Sequence, residues 1–316
     1  VEVAVLSTFM KQNITQDGFF NISEYASIVD AYNNAIEIFK PDIVYSITHG
    51  LLDITDSICQ KHNTPFVVDL HGIRSLELFS EKYPYKYWWK LFSQSILWEK
   101  SLKNARVITV ANPMLYKWVY KIFKQSVPVI GISDSFFFDI PLLQEKDYID
   151  ILYSGNLLSY QGWDLIIKTV SLLSKYICSK VSVTLVGTAW GNFFSDSSTR
   201  LAYEKGLIRI EEPVPHNEYP LLLKRFDVCI VPRSWSLATY LAFPQKMVEA
   251  LSSGRCVIAT DIAPHRYAIK HLENGILCRA TPKGIVEAIE FAIDNNLRKK
   301  ISKNAREYSL EYYSIH

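Results

Sequence analysis

The sequence predicts an α/β protein made of two doubly wound parallel sheets, one in each half of the chain. Three observations predict it. Short apolar runs alternate with amphipathic helical stretches along all 316 residues. Several runs are apolar on both faces, as strands are when helices cover each side of a sheet. The series breaks once and restarts near Ile149, and a chain of this length ordinarily makes about two domains.

In the first half the strand-like runs are VEVAVL (1–6), DIVYSI (42–47), PFVVDL (65–70), RVITVA (106–111) and VPVIGI (127–132). Helical patterns such as NISEYASIVDAYNNAIEIFK (21–40) lie between them. The segment SDSFFFDIPLLQEKDY (133–148) has neither period and carries Pro141 and a charge cluster, so it reads as an inter-domain connection. The second series runs IDILYSG (149–155), VSVTLVG (181–187), LIRIEE (207–212), DVCIVP (227–232), CVIAT (256–260) and GILC (275–278). WDLIIKTVSLLSKYI (163–177) reads as one long helix after Gly162, and 243–253 as another that ends at Gly254. The expected domains are residues 1–140 and 141–316, both Rossmann-like and facing a cleft. Ligands of such sheets bind outside the carboxyl ends of the strands, so the chemistry is sought there.

Composition narrows the function. The formal net charge of +2 argues against a nucleic-acid partner. The cysteines Cys59, Cys178, Cys229, Cys256 and Cys278 are scattered, odd in number and contain no C-x-x-C pair. Neither a disulfide framework nor a zinc site is expected, and a reducing, cytoplasmic setting fits. No run of about 18 apolar residues and no signal-peptide pattern is visible. The seven histidines show no H-E-x-x-H spacing, no D-x-D occurs, and no metal is expected. A G-x-S-x-G nucleophile elbow is also lacking.

Three strand ends carry glycine or charge. The first reads SGNLLSYQGWD, with Gly155 after a strand and Gly162 before a helix whose free N–H groups suit an anion. The second reads VGTAWG, with Gly187 and Gly191; the G-x-G-x-x-G fingerprint is not met. Either loop alone is equally a plain βα turn. The third is PRSWSLATYLAFPQKMVEALSSG, where Pro244 suits a first helical turn and Lys246 and Glu249 share a helix face. On an arbitrary helix they would be a weak surface pair. After a strand end, the carboxylate suits a ribose diol and the ammonium a diphosphate.

The ordered set resembles the retaining glycosyltransferases of the GT-B fold, family 4, over nearly the whole chain. YSGNLLSYQGWDLIIKTV, VTLVGTAWG and LIRIEEPVPHNEYPLLLKRFDVCIVPR are similar to that family's donor-domain opening, glycine loop and base-binding segment. FPQKMVEALSSGRCVIATDIAPHRYAIKHLENGILC is similar to its signature helix, turn, strand and Asn-Gly loop, and LRKKISKNAREYSLEYYS to its late helix. KPDIVYSITHG, TPFVVDLHGI, EKSLKNARVITVANPM and VPVIGISD match weaker positions in the first half.

The resemblance implies a metal-independent transferase with no cofactor, whose donor is a nucleotide-diphosphate sugar and whose acceptor is lipid-linked or a glycan. Catalytic roles fall on His71, beside the transferred sugar, and on Glu249, the second glutamate of E-x7-E, at the donor ribose. Gly155 and Gly187 would admit the phosphates and nucleotide, and Ala242, Phe243, Pro244, Gln245 and Lys246 would run along the diphosphate and sugar. The first E-x7-E glutamate is here Leu241, and the usual Arg and Lys-Gly of the donor opening are Asn156 and Gln161-Gly162. The family's first strand and glycine-rich loop are not found. Lys246 or Arg233 is expected to supply the charge that Asn156 and Gln161 lack. The alternative is a degenerate GT-B protein that binds a nucleotide or partner without turnover.

EKYPYKYWWKLFSQSILWEKSLK (81–103) mixes Lys86 and Lys90 with Trp88 and Trp89. Either an interfacial helix or a packed helix with snorkelling lysines fits. The resemblance favours acceptor or membrane contact, peripheral at the inner face of the membrane.

Overall fold

The structure, a computed structural model, describes residues 5–7, 19–21, 27–47, 51–80, 85–124, 126–128, 133–156, 158–187 and 197–314. The chain divides into two compact units. One takes residues up to Val129 apart from 79–82, and the other the residues from Ile130 on.

The first unit has strands β1 (Val5–Ser7) and β2 (Phe19–Asn21), paired in parallel, and a four-stranded parallel sheet. That sheet comprises β3 (Val44–Ile47), β4 (Phe66–Leu70), β5 (Val107–Val110) and β6 (Ser126–Pro128), in the order β3-β4-β5-β6. The period-2 side-chain alternation divides β4 and β5. Phe66, Val68, Leu70, Ile108 and Val110 are buried, whereas Val67, Asp69, Val107 and Thr109 on the other face are half-buried. Five helices accompany them: α1 (Ile28–Phe39), α2 (Leu52–Lys61), α3 (Arg74–Ser80), α4 (Tyr85–Ser101) and α5 (Pro113–Phe123). Local chemistry starts some of them. Asn112 Oδ1 accepts from the amides of Met114 and Leu115 at 3.0 and 2.9 Å, and Pro113 follows it in the first turn. Strand β2 was not expected: three residues are too few to show a period.

The second unit is one six-stranded parallel sheet in the order β12-β11-β10-β7-β8-β9. Its strands are β7 (Ile149–Ser154), β8 (Val181–Val186), β9 (Arg209–Glu211), β10 (Val228–Val231), β11 (Cys256–Thr260) and β12 (Ile276–Cys278). Each falls inside an expected run. Two separate apolar clusters cover the two faces, one holding Ile151, Val183, Ile230 and Ile258, the other Leu152, Val186, Cys229 and Val257. This is why the central strands β10 and β11 are apolar on both faces.

Its helices are α6 (Trp163–Val170), α7 (Lys175–Cys178), α8 (Ser197–Glu204), α9 (Tyr219–Lys224), α10 (Leu237–Leu241), α11 (Gln245–Ser252), α12 (Ala263–Ala268), α13 (Pro282–Ile293) and α14 (Asn295–Tyr312). Three depart from the sequence reading. The long helix 163–177 is two helices, since Ser174 Oγ accepts from the Ile177 amide at 3.2 Å and starts a new turn. The expected helix 243–253 begins at Gln245. Pro244 is its N-cap, and a residue before proline is pushed out of the helical region, which excludes Phe243. Helix α10 was not anticipated. Its capping box uses Thr239 where Glu or Gln is usual: Thr239 Oγ1 accepts from the Ser236 amide at 2.8 Å, and Ser236 Oγ from the Thr239 amide at 3.1 Å.

The connection 133–148 is bound to the second unit by three arginines, of which Arg255 and Arg298 are buried and Arg306 half-buried. Arg255 donates to Pro141 O and, at 3.1 Å, to Phe226 O; Arg306 donates to Phe138 O and Ile140 O; Arg298 donates to Lys146 O at 3.2 Å. Among the described residues no helix is long and apolar enough to cross a membrane.

Candidate functional site

The site assembles at the carboxyl ends of β7, β8 and β10, in the second unit. Two glycines let these ends touch. A Cβ on Gly187, just past β8, would lie 1.8 Å from Gly155 O, so only glycine fits beside β7. Gly162, at φ +77, would place a Cβ 2.0 Å from Pro232 O, locking the β7–α6 loop against the end of β10. Past Gly155, the buried Tyr153 hydroxyl donates to Asn156 O at 2.8 Å and shapes the loop.

These contacts leave a pocket of about 120 Å³, lined by Ser154, Gly155, Asn156, Gly187, Val214, Tyr219 and Lys246 among others. Four sequence-predicted residues, Gly155, Asn156, Gly187 and Lys246, therefore meet there. Ser154, Val214 and Tyr219 were not singled out; Val214 and Tyr219 lie in the segment likened to a base-binding stretch, but nothing in their spacing marks them. Lys246 Nζ donates to Ser154 Oγ at 2.9 Å and lies 5.3 Å from the centre of the Tyr219 ring. The residue is exposed, yet desolvation of its ammonium lowers its pKa, and the Glu249 carboxylate pulls the other way.

Glu249 follows one turn later on α11 and is only 5% exposed. Among the described residues its carboxylate receives no hydrogen bond. Burial raises its pKa; the charges of His216 and Lys246 lower it, and Asp134 raises it further. His216 pairs with Asp134 at 3.1 Å and packs edge-on to Phe137. Neither His216 nor Asp134 was anticipated, because they are distant in sequence from each other and from Glu249.

Arg233 Nε donates to Gln161 Oε1 at 2.9 Å, and its Nη1 to Ala242 O at 3.4 Å. Thr260 Oγ1 donates to Arg233 O, and the buried His265 Nδ1 is 2.6 Å from Thr260 O. Phe243 packs its ring toward Tyr313 at 6.5 Å, Pro244 caps α11 and Gln245 is the first residue of that helix. Leu241, where the resemblance expects a glutamate, is 1% exposed. A lone carboxylate at so buried a position would be costly, which accounts for an apolar residue there.

His71 belongs to the first unit, one residue past β4. Its Nε2 lies 2.8 Å from Asp69 Oδ2, and that hydrogen bond raises its pKa against the effect of burial. Trp89 is 60% exposed and touches Phe92, their ring centres 6.0 Å apart. The side chains of Lys86, Trp88 and Lys90 lie outside the described residues. Among the described residues no group of three or more His, Cys, Asp or Glu is placed to hold a metal ion.

The family model for glycosyl transferases group 1 matches residues 135–308. No curated protein matches. Among solved structures, a sucrose-phosphate synthase from Thermosynechococcus elongatus is 16% identical, with TM-score 0.72, covering 90% of this chain and 73% of that one. HepE of Anabaena, in complex with UDP and glucose, is 14% identical, with TM-score 0.72 and coverage of 94% and 82%. A glycosyltransferase from Rickettsia africae is 17% identical, with TM-score 0.66 and coverage of 96% and 80%. At these identities the likeness shows the fold.

Proposed function

Because the chain belongs to the glycosyl transferases of group 1 and has the GT-B fold, we propose that it moves a sugar from a nucleotide-diphosphate sugar to a lipid-linked or glycan acceptor, with retention at the anomeric carbon. The observation that carries this reading is the meeting of Gly155, Gly187 and Lys246 around one pocket, with Glu249, 5% exposed and without a hydrogen-bond partner among the described residues, one turn away. In this reading residues 141–316 bind the donor and residues 1–140 serve the acceptor side.

The chemistry is electrostatic. Glycine backbones at two strand ends admit the phosphates closely. Lys246 and Arg233 offset the charge that grows on the departing diphosphate, and the N-terminal amides of α11 add to it. Glu249 accepts from the ribose hydroxyls, which supply the donors it lacks. The leaving phosphate takes the acceptor proton, and His71 orients the sugar. The solved complex of HepE with UDP and glucose supports a nucleotide-sugar donor for this fold.

Leu241, Asn156 and Gln161 favour a second reading, a protein that binds nucleotide without turnover. A panel of UDP, GDP, ADP and their sugar conjugates, read by thermal shift and then by donor turnover, separates the two. A productive donor at about 100 times its Kd stabilises by roughly 2.7 kcal/mol. A stabilising nucleotide with no turnover on any donor selects the second reading; no stabilisation by any of them removes both.

A further inference from the structure

Strands β3, β4 and β5 bring polar side chains together at the carboxyl end of the first unit's sheet. Asp69 lies in register with Thr109 of β5, so both project from one face. Thr109 Oγ1 donates to Asp69 Oδ1 at 2.7 Å, and His71 Nε2 is 2.8 Å from Asp69 Oδ2. The Tyr45 hydroxyl of β3 stands beside both Asp69 and Thr109. Each carboxylate oxygen is therefore engaged by a different donor. A carboxylate only accepts, so the Nε2 proton is on His71. His71 Nδ1 has no hydrogen-bond partner among the described residues.

An exposed ion pair contributes little and orients little. This one differs in its asymmetry. The Asp69 side chain is 20% exposed and held on both oxygens, while the His71 side chain is 57% exposed. The carboxylate is the anchor and the ring is the presented part. Both lie where open α/β sheets take their ligands. We infer that Asp69 is a positioning residue for His71: it accepts the hydrogen bond from Nε2–H, sets the ring and leaves Nδ1 to meet an oxygen of the ligand.

The inference rests on the donor reaction proposed above. Thr109 serves one step further back, by fixing the carboxylate. Burial alone would raise the Asp69 carboxyl, but the bonds from His71, Thr109 and Tyr45 outweigh it and hold it below the usual value. An ionised Asp69 favours the imidazolium, whose Nδ1–H donates to a phosphate or hydroxyl oxygen. Among the described residues the titratable neighbours are Asp69, the one charge acting on His71, and Tyr45, whose phenol is raised by burial.

The test has two arms. Nitrogen-15 histidine spectra follow His71 across the neutral pH range in the wild type, D69N and T109V, with H71Q assigning the signal. In the wild type His71 should titrate above 6.5 with its proton on Nε2; D69N should lower that midpoint, and T109V should fall between. A midpoint and tautomer that D69N leaves unchanged overturn the inference. In the second arm, turnover of whichever donor of the panel is active should fall by up to about 100-fold in D69N, mainly in kcat, with H71Q at least as impaired. D69N at wild-type turnover, or H71Q more active than D69N, also overturns it. A wild type inactive on every donor removes the transferase reading instead, and the spectra still decide whether Asp69 sets the ring.

Discussion

Under the donor-binding role proposed for Glu249, function and stability oppose each other at one residue. Its folded pKa is raised by burial. A carboxyl with a raised folded pKa binds protons more readily folded than unfolded, so its contribution to stability falls as pH rises through the window above 4.5. At neutral pH the charge is a cost to the fold. E249Q keeps the shape and removes the charge. We expect its Tm to rise by about 2 °C while affinity for the stabilising nucleotide falls roughly 10- to 100-fold. Thermal shift with and without nucleotide checks both; a lower Tm with unchanged affinity refutes this role. In the sequence Glu249 was legible as a polar residue on an apolar helix after a strand end. That no donor reaches its oxygens among the described residues was not, because this depends on how distant segments such as 135–137 pack on α11.

At the scale of elements, β10 and β11 with their following loops form a stack. His265 Nδ1–H donates to Thr260 O, and Thr260 Oγ1 donates to Arg233 O, whose side chain is joined to Gln161. His265 is fully buried, and its Nε2 has no hydrogen-bond partner among the described residues. Burial, followed by the charge of Arg233, lowers its pKa from 6.5 to about 3. For a histidine with a depressed folded pKa the unfolded chain binds the extra proton, so stability rises with pH through that interval. The contribution should be complete above 6.5 and be lost progressively as pH falls toward 3. H265Q should flatten this part of the pH–stability curve measured in urea. A wild-type curve already flat between pH 6.5 and 4 would contradict it. Such a stack leaves little trace in sequence, since it joins residues from three separate loops. The strands themselves were legible, because burial on at least one face gives each a short apolar run, and burial on both makes β10 and β11 almost wholly apolar. Helix ends were less so: a proline at 244 and a serine at 174 decide them one residue at a time.

On the whole-molecule scale, the connection and the partner surface matter most. Arg255, Arg298 and Arg306 bind the main chain of 138–146 with charge-assisted hydrogen bonds. Residues without a helix or strand period are thereby as firmly placed as a strand. In helix α4 Trp89 is 60% exposed, and Lys86, Trp88 and Lys90 neighbour it in sequence. We propose that this helix rests on anionic lipid, consistent with a lipid-linked acceptor. The chain should float with phosphatidylglycerol vesicles and lose most of that binding in W88S/W89S. Equal flotation of the two proteins would remove the idea.

The sequence by itself determined the parallel sheets of the two units, nearly all their strands and the strand ends where glycine and charge gather. Those properties are local: period, apolarity on both faces, and glycine or proline at strand ends act within a few residues. The tertiary structure alone decided which loops meet. Gly187 fits only because Gly155 O is against it, Lys246 reaches Ser154 and Tyr219 across the sheet, and Arg233 finds Gln161 rather than a charge. It also decided that Leu241 is a core position and that Asp69 is shared by Thr109 and His71. Such facts follow from strand order and register, which place residues tens of positions apart within hydrogen-bond reach, and no local pattern encodes that distance.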